Sequence, residues 1–406
     1  MGDLFWPGDE RAGDLLSEHA FLQAMTAVEA AWLQSLVTAG VAPAPAEDDL
    51  HGLVGAEDVE ELARAAESGG NPAAPLVALL RARVEERNPD ASRWLHRGLT
   101  SQDVVDTALV LTVRDAFAAI RGDLVRQAVR LANLVEEHRA TPMVARTLTQ
   151  HAVPTTFGLK AAGWLTGVLD AVAAVDALTF PAQVGGAAGT RAATVELAAA
   201  QPDPVGTSAS IAEQVAGTLG LAPRPPWHTT RSPLTRCADA AVTCTDAWGH
   251  LAGDVLTLGR PEVGEVSEGS GGGSSTMPHK ANPVLSVLVR RAALTTPQLA
   301  ATVHLAAALA VDERPDGAWH AEWATIRTLL RRTTTAGSQV TELLDGLQMH
   351  PDRMAATLAD ADGVGSEQHA MAGIAGHPAA DDYRGETDRL VDAVLARTQT
   401  LNKETR

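Results

Sequence analysis

Thr100-Ser101-Gln102-Asp103 reads as a capping box, a hydroxyl residue followed three positions on by an acid, each able to satisfy an amide at the start of a helix. Behind it Val104, Val105, Ala108, Leu109 and Leu111 recur at helical spacing, and the pattern predicts one long helix reaching about His138. A helix of that length commits the chain to an extended architecture. Composition agrees. The 406 residues are rich in alanine, leucine, arginine and glutamate, which favour helix. Aromatics make up only 3%, and β-branched runs bounded by turn signals are scarce, which disfavours sheet. Further helices are predicted over 15–40, 56–68, 74–87, 155–178, 234–259, the stretch after Pro283, 319–345 and 384–401. Pro142 and Pro154 bracket an irregular segment from Ala145 to Val153. The turn Gly185-Gly186-Ala187-Ala188-Gly189-Thr190 follows no clear strand and is not read as a dinucleotide loop. The expected fold is all-α, with an elongated subunit built on a long central helix bundle. Its expected divisions are an N-terminal helical domain over 1–103, the bundle over 104–346 and a C-terminal helical domain over 347–406.

Charge excludes some roles. The formal net charge is −18 and no basic stripe offsets it, which argues against nucleic acid as a partner. A local cationic site for a small anion remains compatible with an acidic protein. Cys237 and Cys244, the only cysteines, form neither a disulfide framework nor a metal site, and read as small packed hydrophobes in a reducing compartment. No basic or apolar leader is seen at the N-terminus. Ala292 to Val311 has membrane-span length but carries Pro297, Gln298, His304 and several threonines, and is expected to lie inside a bundle. The expectation is a cytoplasmic protein with no membrane partner.

Three segments carry chemistry. The first is His96 to Asp103, where Thr100, Ser101 and free helix amides suit a carboxylate as well as a cap. The second is Ala145 to Pro154, in which Gln150 and His151 are equally readable as interhelical polar groups. The third, Gly271 to Pro283, says most. Its glycines permit motion and close backbone approach, Ser274 and Ser275 offer hydroxyls, Lys280 offers a cation, and Asn282 is placed to cap a helix started by Pro283. Of 32 basic residues only Lys160, Lys280 and Lys403 are lysine, so one of three amines falls in this loop. A plain Gly/Ser linker does not run through Met277-Pro278-His279-Lys280-Ala281-Asn282-Pro283 into a long apolar segment.

In this order the three segments resemble the signature regions of the fumarase/aspartase superfamily, with Gly273 to Pro283 matching its hallmark loop. Within it the chain is most similar to the bacterial 3-carboxy-cis,cis-muconate cycloisomerases. The resemblance runs from about residue 3 to 357 and includes Pro154 to Trp164, Pro226-Trp227-His228-Thr229 with Arg231, and Glu313-Arg314 followed by Gly317 to Trp323. It implies an all-α homotetramer with a 20-helix core, each active site drawing its three regions from three subunits. It also implies a small di- or tricarboxylate substrate and no cofactor or metal. Ser275 becomes the proton carrier next to a carboxylate, Lys280 and Asn282 hold that carboxylate, and Thr100, Ser101, Thr147 and Gln150 hold the far end of the substrate. His96 joins the substrate-binding set, and His151 is a candidate acid. Arg231 or Arg314 is placed to hold a third carboxylate, with ion pairing the alternative for either.

Two departures matter. Relatives that split adenylosuccinate have a histidine, as general acid, where this chain has Leu148; its absence here, as in the cycloisomerases, argues against adenylosuccinate. Between about Leu358 and Pro378 the chain lacks a helical stretch that longer members have. The expected activity is lactonisation of 3-carboxy-cis,cis-muconate. The alternative is a fumarate-releasing β-elimination of a substituted succinate, an amino- or nitro-succinate. A non-catalytic scaffold is the third reading, and retention of the loop serine and lysine speaks against it.

Overall fold

In the computed structural model the described residues are 3–269, 272–273, 276–277 and 280–404. The chain is a helix bundle with smaller helices at both ends. An N-terminal group comprises α1 (Glu18–Thr38), α2 (Val59–Gly69), α3 (Ala73–Glu85) and α4 (Pro89–Trp94). The bundle comprises α5 (Ser101–Glu137), α6 (Phe157–Asp176), α9 (Ser232–Leu258), α10 (Val284–Ala308) and α11 (Gly317–Gly346), with α7 (Ala192–Leu197) and α8 (Pro204–Thr218) on the excursion between α6 and α9. Helices α12 (Pro351–Ala359), α13 (Ser366–Ala375) and α14 (Thr387–Glu404) follow. Helix α13 lies between Leu358 and Pro378, the interval in which the chain is expected to be shorter than longer members.

Polar contacts fix the helix directions. Asp106 meets Trp319 and Gln127 meets Gly337 and Thr341, so α5 and α11 run parallel. Arg231 meets Asp106 and Trp248 meets Gln127, so α9 is parallel to both. Asp254 near the end of α9 receives Lys160 and Trp164 from the start of α6, and Thr245 and Asp239 meet Thr296 and His304, so α6 and α10 run the opposite way. One end of the bundle therefore holds the starts of α5, α9 and α11, and the other holds their ends. At 37 residues α5 separates the two ends by about 55 Å.

The core is apolar and close-packed along this axis. Trp32, Trp164, Trp227, Trp248, Phe117 and Phe157 are its largest fully buried side chains. Gly158 permits the tight return from α5 to α6, because a Cβ there would meet Arg139 Cα at 2.6 Å and the His138 carbonyl oxygen at 2.7 Å. Both cysteines lie free and buried in α9, and burial pushes each thiol up to about 12.

Two expectations need correction. The segment 145–153 is not irregular. Strands β1 (Pro142–Thr147) and β2 (Gln150–Thr156) form an antiparallel hairpin with a bulge between Val144 and Arg146. Its turn places Leu148 and Thr149 at φ 49° and 71°. Hairpin turns needing positive φ normally use Asn and Gly, so this pair gave no signal. A second, short antiparallel pair joins β3 (Val266–Ser267) to β4 (Gln348–Met349). The second correction concerns α10, which is not interior all round. Ala292, Thr296, Ala300, Val303 and Ala306 are buried, while Leu294 is 66% and Leu305 61% exposed.

Candidate active site

The first segment is built at the α5 start. Thr100 is the N-cap and its amide donates to the Asp103 carboxylate at 3.0 Å, the reciprocal bond of the expected capping box. Asp103 does more than cap. Fully buried, it also accepts from Gln183 Nε2 at 3.1 Å, the amides of Gly185 and Gly186 at 2.8 and 2.9 Å, and His228 Nε2 at 3.2 Å. The glycine turn thus points its amides at a carboxylate of its own chain. Gly185 is required there, since a Cβ would meet His228 Cε1 at 2.6 Å. The reading of Asp103 as a cap alone missed this convergence, because its partners lie about 80 to 125 residues away.

Arg231 requires a correction. Its side chain is wholly buried, and it donates to Asp106 at 2.7 and 3.0 Å, to Glu322 at 2.6 and 3.1 Å and to the His228 carbonyl at 3.2 Å. Burial alone would lower its pKa, but Asp106 and Glu322 outweigh that and raise it, so the guanidinium is permanently charged. Glu322 is pushed up by burial, partly offset by Arg231. All the Arg231 donors are committed to this interhelical cluster, which leaves none for a substrate. Arg314, half-buried just before α11, lies 5.7 Å from the Trp319 ring at the same end of the bundle.

The second segment sits past the other end of α5. Thr147, Leu148, Thr149, Gln150 and His151 are all exposed at the hairpin tip, Leu148 to 96%. Among the described residues the Gln150 side-chain amide donates to the adjacent Thr149 hydroxyl, at 3.2 Å. The hairpin is anchored just behind this tip. Arg146 makes a two-pronged bond to buried Glu265 at 2.7 and 2.9 Å.

Glu265 immediately precedes β3, which leads into the third segment, so second and third segments share one end. The neck of that loop is closed by paired backbone bonds between Gly272 and Asn282, at 2.8 and 2.9 Å. Glycine is required at 272 because a Cβ would run into Val284. Asn282 does not cap α10. Glu268 does, accepting from the amides of Leu285 and Ser286 at 3.2 and 2.8 Å. Lys280 is exposed. Ser275, with Ser274 and His279, lies outside the described residues.

The structure therefore brings His96, Thr100, Ser101 and Arg314 to one end, and Thr147, Gln150, His151, Lys280 and Asn282 to the other. Residues 25–295 match the family model described as Lyase. The chain belongs to this family, within the fumarase/aspartase superfamily. Among relatives of this lyase, the nitrosuccinate lyase of Streptomyces davaonensis is 45% identical over 351 residues, 84% of this chain and 73% of that protein. The 3-carboxy-cis,cis-muconate cycloisomerase of Bradyrhizobium diazoefficiens is 39% identical over 350 residues, 84% of this chain and 75% of that one. The solved 3-carboxy-cis,cis-muconate lactonizing enzyme of Pseudomonas putida superposes with a TM-score of 0.83 at 29% identity, covering 96% of this chain and 97% of that one.

Proposed function

We propose that this lyase catalyses cofactor-independent addition to, and elimination from, a carbon–carbon double bond beside a carboxylate, with 3-carboxy-cis,cis-muconate as substrate and a lactone as product. The observation that carries the reading is the hairpin tip, where apolar Leu148 stands in place of an acid. Releasing an amine requires a proton donor at the leaving atom. A carboxylate oxygen does not, because it is already a weak base. In the lactonising direction a substrate carboxylate oxygen bonds to one alkene carbon. The other alkene carbon, next to a second carboxylate, gains the electron pair and takes a proton from the Ser275 hydroxyl. Lys280, with Asn282, stabilises the extra charge that develops on that carboxylate. His96, Thr100 and Ser101 at the α5 start, with Thr147 and Gln150 of the hairpin, hold the rest of the substrate, and Arg314 is assigned its third carboxylate.

The working unit is a homotetramer in a reducing cytoplasm. Two features support it. The first segment stands about 55 Å from the other two within one chain, so a site containing all three draws on other copies. The exposed leucines of α10 give the bundle an apolar face for those copies. Five bundle helices per chain fit a 20-helix core.

A second reading, β-elimination of nitrite from nitrosuccinate to leave fumarate, is favoured by the 45% identity to a nitrosuccinate lyase, and nitrite too leaves without a proton donor. The test offers each substrate separately and follows ultraviolet absorbance. Loss of the diene signal with 3-carboxy-cis,cis-muconate supports the first reading. Fumarate formation from nitrosuccinate with an unchanged diene signal overturns it in favour of the second.

A further inference from the structure

Helix α1 reaches the candidate site without belonging to any of its three segments. Glu29 lies at its centre with its side chain fully buried, and its Oε1 lies 2.6 Å from His96 Nδ1. Its second oxygen, Oε2, is buried with no hydrogen-bond partner among the described residues. One turn along, Trp32 Nε1 donates to the Arg97 carbonyl at 2.8 Å. The same helix face therefore fixes the His96 ring and the backbone beside it. His96 is held at φ 62°, a conformation that side chains of its kind seldom adopt. Its side chain stays 19% exposed, and its Nε2 makes no hydrogen bond among the described residues. Arg81 on α3 also lies near Glu29; its guanidinium donates to the Leu95 carbonyl at 2.6 Å and feels the charges of both Arg97 and Glu29.

We infer that Glu29 is a positioning residue that fixes the His96 ring through Nδ1 so that Nε2 faces the substrate carboxylate. The inference rests on the assignment of 96–103 to a carboxylate. The electrostatics are direct. A buried carboxylate with one unanswered oxygen demands a positive partner, and the ring it touches is the group that can supply one. With Nδ1 turned to Glu29 the opposite nitrogen faces outward, and a ring set between two carboxylates answers both as a charge-assisted donor. Positive φ at His96 is the strain this geometry carries. A histidine so held binds charge and does not act as a base.

The test uses histidine-labelled full-length enzyme, with His96→Asn to assign the signal among the 13 histidines. In Glu29→Gln the His96 ring signal is expected to move, because the charged partner at contact distance from Nδ1 is gone. Fumarate, used as a plain dicarboxylate probe in calorimetry, is expected to bind about tenfold more weakly, and the substrate KM to rise by a similar factor with kcat little changed. Glu29→Asp retains the charge and is expected to restore part of both, and it carries the test if Glu29→Gln does not fold. An unmoved ring signal, with unchanged fumarate affinity in Glu29→Gln, overturns the proposal while leaving the carboxylate site standing. Unaltered fumarate affinity in His96→Asn overturns it by removing that site.

Discussion

The start and the end of α5 handle polar groups in opposite ways. At the start, Asp103 accepts from five donors and Arg231 saturates itself on Asp106, Glu322 and a carbonyl, all out of contact with water. Past the end, Thr147, Gln150 and His151 stand exposed on a hairpin, where the Gln150 side chain reaches no farther than the neighbouring Thr149. The first arrangement is a wall, complete within a single chain and rigid because each group answers another. The second is a probe, anchored just behind its tip by Arg146 and Glu265 and exposed beyond that point. A site assembled from both needs a wall from one copy and a probe from another.

The comparison breaks most easily at the loop. Ser275→Ala is expected to lower kcat by roughly 10²–10⁴-fold, the usual worth of a positioned proton carrier, with the oligomer intact by light scattering. Retained activity removes Ser275 from the proposal. Mixing that variant with Ser101→Ala after mild dissociation is expected to recover activity that neither parent shows, because some hybrid sites then draw a sound wall from one chain and a sound loop from another. No recovery means that the two ends do not meet.

Arg231→Met separates wall from probe by stability. Removing one partner of a buried ion cluster leaves Asp106 and Glu322 facing each other, and about 3–5 kcal/mol of unfolding free energy is expected to be lost in denaturant titration. Gln150→Ala, on the exposed tip, is expected to leave that curve unchanged and to lower kcat/KM. The cysteines of α9 give a gentler probe of the same contrast. Burial raises both thiols to about 12, so at neutral pH they are protonated as well as inaccessible. A thiol reagent is expected to label neither until the protein is unfolded. Labelling of folded enzyme means that the bundle opens around α9.

Sequence made the wall partly legible and the probe hardly at all. The cap at Thr100 and the length of α5 follow from local chemistry and periodicity, and they define the two ends. Asp103 was visible only as a cap, and Glu29 only as one more residue of an amphipathic helix, because what each does depends on partners brought near by the fold. Glu268 took the capping role that Asn282 was expected to fill, since a carboxylate from before the loop reaches the first amides of α10. Arg231 was read as a substrate ligand because charge in a motif suggests binding, and spacing does not reveal that two carboxylates already claim it. The hairpin escaped notice because its turn breaks the usual turn chemistry. Its site residues were assigned through resemblance alone.

That turn supports the smallest and most discriminating test. Thr149 is β-branched and sits at φ 71°, where L side chains cost roughly 1–2 kcal/mol. Thr149→Gly removes that strain but adds freedom to the unfolded chain, a penalty of roughly 0.5–1 kcal/mol. The net change in stability is expected to lie between zero and about 1.5 kcal/mol in favour of the variant. If the tip only closes a hairpin, kcat/KM follows stability and does not fall. If the strained turn sets the angle at which Leu148 and Gln150 enter a neighbouring site, and the Thr149 hydroxyl steadies Gln150, kcat/KM falls while stability holds or rises. The second outcome is expected, and only a region built for a partner chain would show it.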